Sequence, residues 1–65
     1  MINRHGQQFQ ICAEPRMVVE IVNWDLKEKM WNVKYVLPKG LESVTMMKEE
    51  FFQAIEENYP EDRLR

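Results

Sequence analysis

The first part of the chain alternates polar and apolar residues in the manner of β-strands. Phe9, Ile11 and Ala13 fall on one side of residues 8–13, because successive side chains of a strand point to opposite faces. Pro15 ends this segment, since proline fixes φ and has no N–H to donate. Residues 17–24 are rich in β-branched side chains and predict a second strand.

Two more strands follow after short connections. Residues 25–29 are polar apart from Leu26 and indicate a hairpin connection to a third strand over residues 30–37. Alternate residues of that strand share a face: Trp31, Val33, Tyr35 and Leu37. Proline and glycine within residues 38–40 suit a turn, and a short fourth strand over residues 42–46 completes the predicted sheet.

The hydrophobic period changes at Met47 from that of a strand to that of a helix. The apolar residues with helical spacing are Met47, Phe51, Ala54, Ile55 and Tyr59. Carboxylates in the first turn favour the positive end of the helix dipole, and the residue before Pro60 is pushed out of the α region. The pattern predicts a helix over residues 47–58 and a tail over residues 60–65 that frays from Glu61 onward.

The order ββββα with short connections predicts an α+β, mainly β fold and a single small domain over residues 1–65. The simplest arrangement is an antiparallel four-stranded meander with one C-terminal α-helix. The helix would close the open end of the sheet or cover one of its faces. A small SH3-like barrel or roll satisfies this order, and so does an intertwined dimer that shares strands.

Length and charge limit the classes of protein. An apolar fraction of 45% and a charged fraction of 31% indicate a globular chain, but 65 residues allow only a small core. The net charge of −2 argues against bulk electrostatic attraction to nucleic acid. Residues 1–41 carry six Lys and Arg against four acids, whereas residues 42–65 carry three against seven. The sheet region is therefore mildly basic and the helical region acidic.

Few residues could support catalysis. His5 is the one histidine, and no carboxylate or nucleophile can be assigned to orient it, so it is interpreted as a solvated residue before a turn glycine. Cys12 is the one cysteine and is interpreted as an inert strand residue, since a reactive thiol needs a cationic or helix-terminal environment. We expect no enzymatic activity, no cofactor, no metal and no small-molecule substrate.

The N-terminus does not resemble a signal peptide, and no apolar run approaches the roughly 20 residues that span a bilayer. We therefore expect a cytoplasmic protein that does not associate with membranes.

Trp24 is the first candidate for a protein contact. If Val19 and Ile21 face inward, strict alternation places Trp24 on the opposite face together with Val22. Tryptophan is enriched among residues that anchor protein interfaces, which favours an interaction surface at this position. The alternatives are that a bulge returns Trp24 to the core or that it covers one end of a barrel.

Two pairs of adjacent carboxylates on the predicted helix form a second candidate surface for a protein contact. The pairs are Glu49 with Glu50 and Glu56 with Glu57, and few cations lie one turn away from them. They indicate either a solvated acidic face or a surface that docks a basic partner.

The segment from Val44 to Ile55 resembles the last strand and helix start of the carbon storage regulators, which are small bacterial RNA-binding proteins. That family has a Val-x-Val-x-Arg-Glu-Glu-Ile-Tyr pattern after a Pro-Lys turn, and residues 44–55 read VTMMKEEFFQAI. The resemblance implies a strand-swapped homodimer that binds GGA-bearing RNA. By position it implies an RNA contact set of Arg4, Val44, Met46, Met47 and Lys48.

A second resemblance covers more of the chain. Gly6 to Phe9, Val18 to Val22, Trp31 to Tyr35 and Gly40 to Glu42 look like small prophage-encoded SH3-like proteins of unknown function, as does Met47 followed by Phe51. It implies a barrel that the C-terminal helix packs through a late phenylalanine.

These observations predict a non-enzymatic binding or regulatory module of bacterial or phage origin that acts through a protein partner. One alternative is an RNA-binding post-transcriptional regulator that acts as a homodimer. Another is a small structural subunit of a larger assembly, which would account for the surplus of apolar strand residues.

Overall fold

A computed structural model describes residues 3–13, 16–36, 40 and 42–65. The elements are β1 (Gln8–Ala13), β2 (Arg16–Asp25), β3 (Met30–Val36), β4 (Glu42–Met47), α1 (Glu49–Asn58) and a 3₁₀ turn (Pro60–Asp62). Pro15, Leu37 and most of the turn predicted over residues 38–40 lie outside the described residues. The predicted four-stranded, mainly β chain with one helix is confirmed. No helix in the described ranges is long and apolar enough to cross a membrane.

The strands form one antiparallel sheet in the order β1-β2-β3-β4. Each strand pairs with its neighbour in sequence because the connections are short, which is the meander expected from the sequence. Among the described residues β1 and β4 are opposite edges of the sheet and do not pair with each other. The sheet is open, so the structure does not confirm a closed barrel.

One face of the sheet forms the core together with α1. The buried apolar residues are Phe9, Val19, Ile21, Trp31, Val33, Phe52 and Ile55. The rings of Phe9 and Phe52 lie 5.0 Å apart between centroids, which fixes α1 against β1. The inward parity predicted for Val19, Ile21, Trp31 and Val33 is confirmed. The helix covers a face of the sheet because Phe52 and Ile55 are three residues apart and lie on one side of it.

Trp24 does not lie on the face of the sheet that strict alternation predicts. Ile21 pairs with Val33, but Asn23 pairs with Asn32, so Val22 is an extra residue in β2 and forms a bulge. The bulge reverses the alternation, and Trp24 returns to the core face opposite Trp31. The two indole rings pack edge to face with centroids 5.0 Å apart. Trp24 therefore extends the core toward the β2–β3 hairpin, in agreement with the alternative considered for it.

The tail predicted to fray is ordered against β1. Arg63 forms an antiparallel bridge with Phe9. The backbone N–H of Leu64 donates to the carbonyl of Gln8 at 2.7 Å, and the N–H of Gln8 donates to the carbonyl of Arg65 at 3.1 Å. The 3₁₀ turn brings the chain from the end of α1 to this position, so the outer edge of β1 is paired at its start.

The second face of the sheet is open and mostly polar. Cross-strand side-chain hydrogen bonds join Gln8 to Glu20 at 2.8 Å and Asn32 to Asn23 at 2.8 Å. Exposed apolar side chains on this face lie at the β4 edge, where Val44 is 75% and Met46 is 40% exposed. The surplus apolar strand residues noted in the sequence therefore lie mainly on the sheet face that α1 covers and at the β4 edge.

Candidate functional site

Arg4 is fully buried between the N-terminal segment and α1. A turn places it there: the N–H of Gln7 donates to the Arg4 carbonyl at 3.0 Å, and Gly6 supplies a φ of 84° that other residues rarely adopt. Its guanidinium donates to both carboxylate oxygens of Glu49 at 2.7 and 2.8 Å. A further hydrogen bond reaches Glu56 at 2.8 Å. Arg4 therefore joins the N-terminus to both halves of the helix.

The carboxylates around Arg4 are stabilised in their charged form. Hydrogen bonds from Arg4 lower the pKa of Glu49 and of Glu56 below the ordinary carboxyl value and outweigh desolvation, which acts in the opposite direction. The same hydrogen bonds raise the pKa of Arg4. Glu49 also accepts a hydrogen bond from the Trp31 indole N–H at 2.7 Å. These contacts hold α1 on the sheet. The carboxylates of Glu49 and Glu56 are therefore already bound by other residues of the fold.

The other acids of this region face solvent. Glu50 and Glu57 are exposed and lie two helical turns apart on one side of α1. Glu61 and Asp62 continue the acidic surface in the 3₁₀ turn. Among the described residues none of these four carboxylates forms an ion pair. The predicted pairs of carboxylates are thus divided: one member of each pair binds Arg4 and the other is exposed.

A groove of about 320 Å³ lies between β1 and the C-terminal half of α1. Its walls are Gln10, Ile11, Phe51, Ile55, Tyr59 and Asp62. Phe51 is 42% and Tyr59 is 59% exposed. A volume of this size is at the lower end of ligand pockets and suits a single bulky side chain. The groove combines an apolar floor with a carboxylate and an amide at its rim.

The Phe51 ring and the Tyr59 backbone are held by neighbouring contacts. The Phe51 ring packs edge to face on Phe52, with centroids 5.4 Å apart. Tyr59 follows the last residue of α1, and its N–H donates to the Ile55 carbonyl at 2.7 Å. Successive helical residues are separated by about 100°, so Phe51 cannot share the buried position of Phe52. The groove is therefore lined by two aromatic rings that the core does not cover.

The sequence pattern placed Phe51 in the helix and Tyr59 at its end, but neither residue in a binding site. The available signal was the pair Phe51-Phe52, because adjacent helical residues cannot both point to the centre of one core. The position of Ile11 depends on a second irregularity, a register shift in β1 between Gln10 and Cys12. Ile11 lies in this shift and packs at the margin of the core. Such a shift cannot be read from the alternation alone.

The residues predicted to bind RNA do not form one surface. Arg4 is buried under α1, and Met47 packs against the core. Val44, Met46 and Lys48 are exposed along the open face of β4. RNA binding stays a prediction, but Arg4 cannot contribute to it without the helix moving away.

The remaining predicted residues are distributed over the molecule. Val22 and Trp24 are half-buried in β2. Val22 is the bulge residue, and Trp24 follows the bulge on the core face. His5 is exposed, and its backbone N–H donates to Asn3 Oδ1 at 2.9 Å. The side chain of Cys12 lies outside the described residues. In the part of the chain that is described, no three His, Cys, Asp or Glu side chains are grouped so as to hold a metal ion.

Comparison of the chain with protein-family models, curated proteins and solved structures found no match. The resemblances to the carbon storage regulators and to prophage SH3-like proteins therefore stay predictions that rest on the residues quoted for them. The groove between β1 and α1 is a concave surface that combines two exposed aromatic rings with the carboxylate of Asp62.

Proposed function

We propose that this protein is a non-enzymatic binding module whose partner is a basic protein segment with a bulky apolar anchor. The observation that carries the proposal is the exposure of Phe51 and Tyr59 on the two sides of a groove with Asp62 at its rim. Large aromatic side chains that are partly exposed are typical anchors of protein contacts. The anchor residue of the partner would enter between the two rings.

The charge around the groove selects the partner. Asp62 lines the groove, and Glu61 precedes it in the same 3₁₀ turn. Neither carboxylate forms an ion pair among the described residues. A Lys or Arg beside the anchor would face these carboxylates, which increases the rate of association and discriminates against acidic segments.

The proposal is tested by selecting a displayed library of random peptides on the immobilised protein. We expect the enriched peptides to combine one bulky apolar residue with Lys or Arg. Binding of these peptides should weaken as salt is raised, because the attraction between exposed charges is screened. Chemical-shift changes on titration should centre on Ile11, Phe51 and Tyr59.

The variants Phe51→Ser and Tyr59→Ser should each remove peptide binding and leave the fold intact, since both side chains are more than a third exposed. Leu26→Ser is the matched control, because Leu26 is 82% exposed in the β2–β3 turn, away from the residues that line the groove. Enrichment of acidic peptides, or equal binding by Phe51→Ser, would show that the groove is not the site.

A further inference from the structure

Among the described residues, nothing pairs with the outer edge of β4. β4 is the last strand of the sheet, and it forms hydrogen bonds to β3 but to no other strand in the described residues. The opposite edge differs, because residues 63–65 pair with the start of β1. An unpaired edge strand presents backbone N–H and C=O groups to any further strand of suitable sequence.

The side chains of β4 are exposed in strict alternation. Glu42, Val44 and Met46 are exposed on the open face, and Lys48 continues this pattern. Lys48 has φ −76° and ψ 152°, so the extended backbone reaches it before α1 begins. The open face of this edge therefore presents, in order, an acid, two apolar residues and a base.

This order is complementary to itself when read in the opposite direction. If a second copy of β4 lies antiparallel with Thr45 opposite Thr45, Glu42 faces Lys48 and Val44 faces Met46 on the same face of the sheet. The two-fold axis repeats each pair, giving two ion pairs and two apolar pairs. Moving the axis to Val44 or to Met46 destroys both ion pairs, so one register is favoured over its neighbours.

We propose that two copies of this chain associate through β4 in this register and form one continuous eight-stranded antiparallel sheet. The contact is isologous, as every two-fold interface is, because the same strand serves both partners. The exposed apolar residues Val44 and Met46 are then covered by each other. The groove lies against β1 at the other edge of the sheet. The dimer therefore leaves both grooves open, and its existence does not depend on the proposed peptide binding.

Sedimentation equilibrium of charge-reversal variants tests the dimer and its register together. The wild-type chain should show a reversible monomer–dimer equilibrium. Glu42→Lys and Lys48→Glu should each weaken the dimer by about tenfold or more, because both ion pairs become contacts between like charges. The double variant should restore the wild-type dissociation constant. An equimolar mixture of the two single variants should form a heterodimer, because each then supplies the charges that the other lacks.

Val44→Lys places a charge at the centre of the contact and should abolish the dimer, since lysine on an edge strand opposes pairing. Leu26→Lys is the matched control, because it also replaces an exposed apolar residue but lies in the β2–β3 turn. Far-UV circular dichroism checks that each variant is folded. A chain that stays monomeric at every accessible concentration overturns the proposal. So does a dimer whose dissociation constant is unchanged by Val44→Lys or by either charge reversal.

Discussion

Arg4 and Glu49 are separated by 45 residues in sequence and joined by two hydrogen bonds of 2.7 and 2.8 Å. The guanidinium also lies 5.9 Å from the ring centroids of both Phe9 and Phe52, which is within cation–π range. Arg4 thus contacts the N-terminal turn, β1 and α1 at one point. In a chain with so small a core, loss of either partner would leave an uncompensated charge at the contact between α1 and the sheet.

Removing the positive charge of Arg4 should destabilise the fold strongly. Arg4→Met keeps much of the apolar stem but leaves Glu49 and Glu56 without their partner. We expect a loss of about 3 kcal/mol in the free energy of unfolding, since breaking a buried ion pair leaves carboxylates uncompensated. Urea denaturation followed by circular dichroism measures it.

The adjacent acids provide the matched control for this ion pair. Glu49→Gln should cost about 1 to 2 kcal/mol, because a charged hydrogen bond to buried Arg4 is replaced by a neutral one. Glu50→Gln, one residue later on the exposed side of α1, should change stability by less than about 0.5 kcal/mol. Equal effects at the two positions would contradict the structural role assigned to Arg4.

The pH dependence of stability follows from the same carboxylates. The pKa values of Glu49 and Glu56 are lowered in the folded state by Arg4, relative to about 4.3 in an unfolded chain. Their contribution is therefore fully present above the unfolded value and is lost as pH falls through the lowered folded values. We expect the urea midpoint to be flat near neutrality and to fall below about pH 4.

The pH effect has a specific control. Glu49→Gln removes one of the two titrating groups, so its urea midpoint should fall less steeply in acid than that of the wild-type chain. Arg4 is protonated throughout this range, since its pKa is raised above an already high value. An acid transition of unchanged steepness in Glu49→Gln would mean that other carboxylates dominate it.

Trp24→Ala should lower stability rather than remove a binding surface. Trp24 packs edge to face on Trp31 at 5.0 Å between centroids. Because Trp24 is half-buried, we expect a loss of about 2 kcal/mol, below the 3 to 5 kcal/mol typical of a fully buried aromatic residue. Trp24→Phe should recover most of this loss, since a ring still reaches Trp31.

Thermal unfolding decides between the two interpretations of Trp24. A decrease of about 4–8 °C in Tm for each kcal/mol is expected for a domain of this size if Trp24 is part of the core. An unchanged Tm together with weaker partner binding would instead support the contact role that strict alternation in β2 predicts.

Removing residues 63–65 should expose the edge of β1. The backbone hydrogen bonds of Gln8 to Leu64 and Arg65 would be lost. We expect the free energy of unfolding to fall by about 1 kcal/mol, which is the net value of one or two backbone hydrogen bonds that are replaced by hydrogen bonds to water. Amide hydrogen exchange of Gln8 should accelerate in the shortened chain.

Arg65→Ala is the control for this truncation, because it removes a side chain and keeps every backbone hydrogen bond. Its Gln8 exchange rate should match that of the wild-type chain. Fast exchange at Gln8 and Leu64 in the full chain would show that the C-terminal residues are not paired with β1.

The order of the elements and the inward parity of β2 and β3 were determined by the sequence. Val19, Ile21, Trp31 and Val33 repeat every second residue, and β-strand geometry alone then places them on one face. The existence of the helix was equally determined, because the spacings of four, three, one and four over residues 47–59 fit a helix and break the alternation of a strand. Its start was predicted two residues too early, since Met47 belongs to β4 and α1 begins at Glu49. These are local properties, and each is set by a few neighbouring residues.

Tertiary structure decided the face of Trp24 and the role of each acid on α1. A single extra residue at Val22 reverses the alternation, and its position depends on how β2 pairs with β3 rather than on β2 itself. Glu49 is bound and Glu50 exposed because Arg4 reaches the helix from a distant turn. The groove and the free β4 edge arise in the same way. They are places where packing between distant segments ends, and no local pattern in the sequence specifies where that happens.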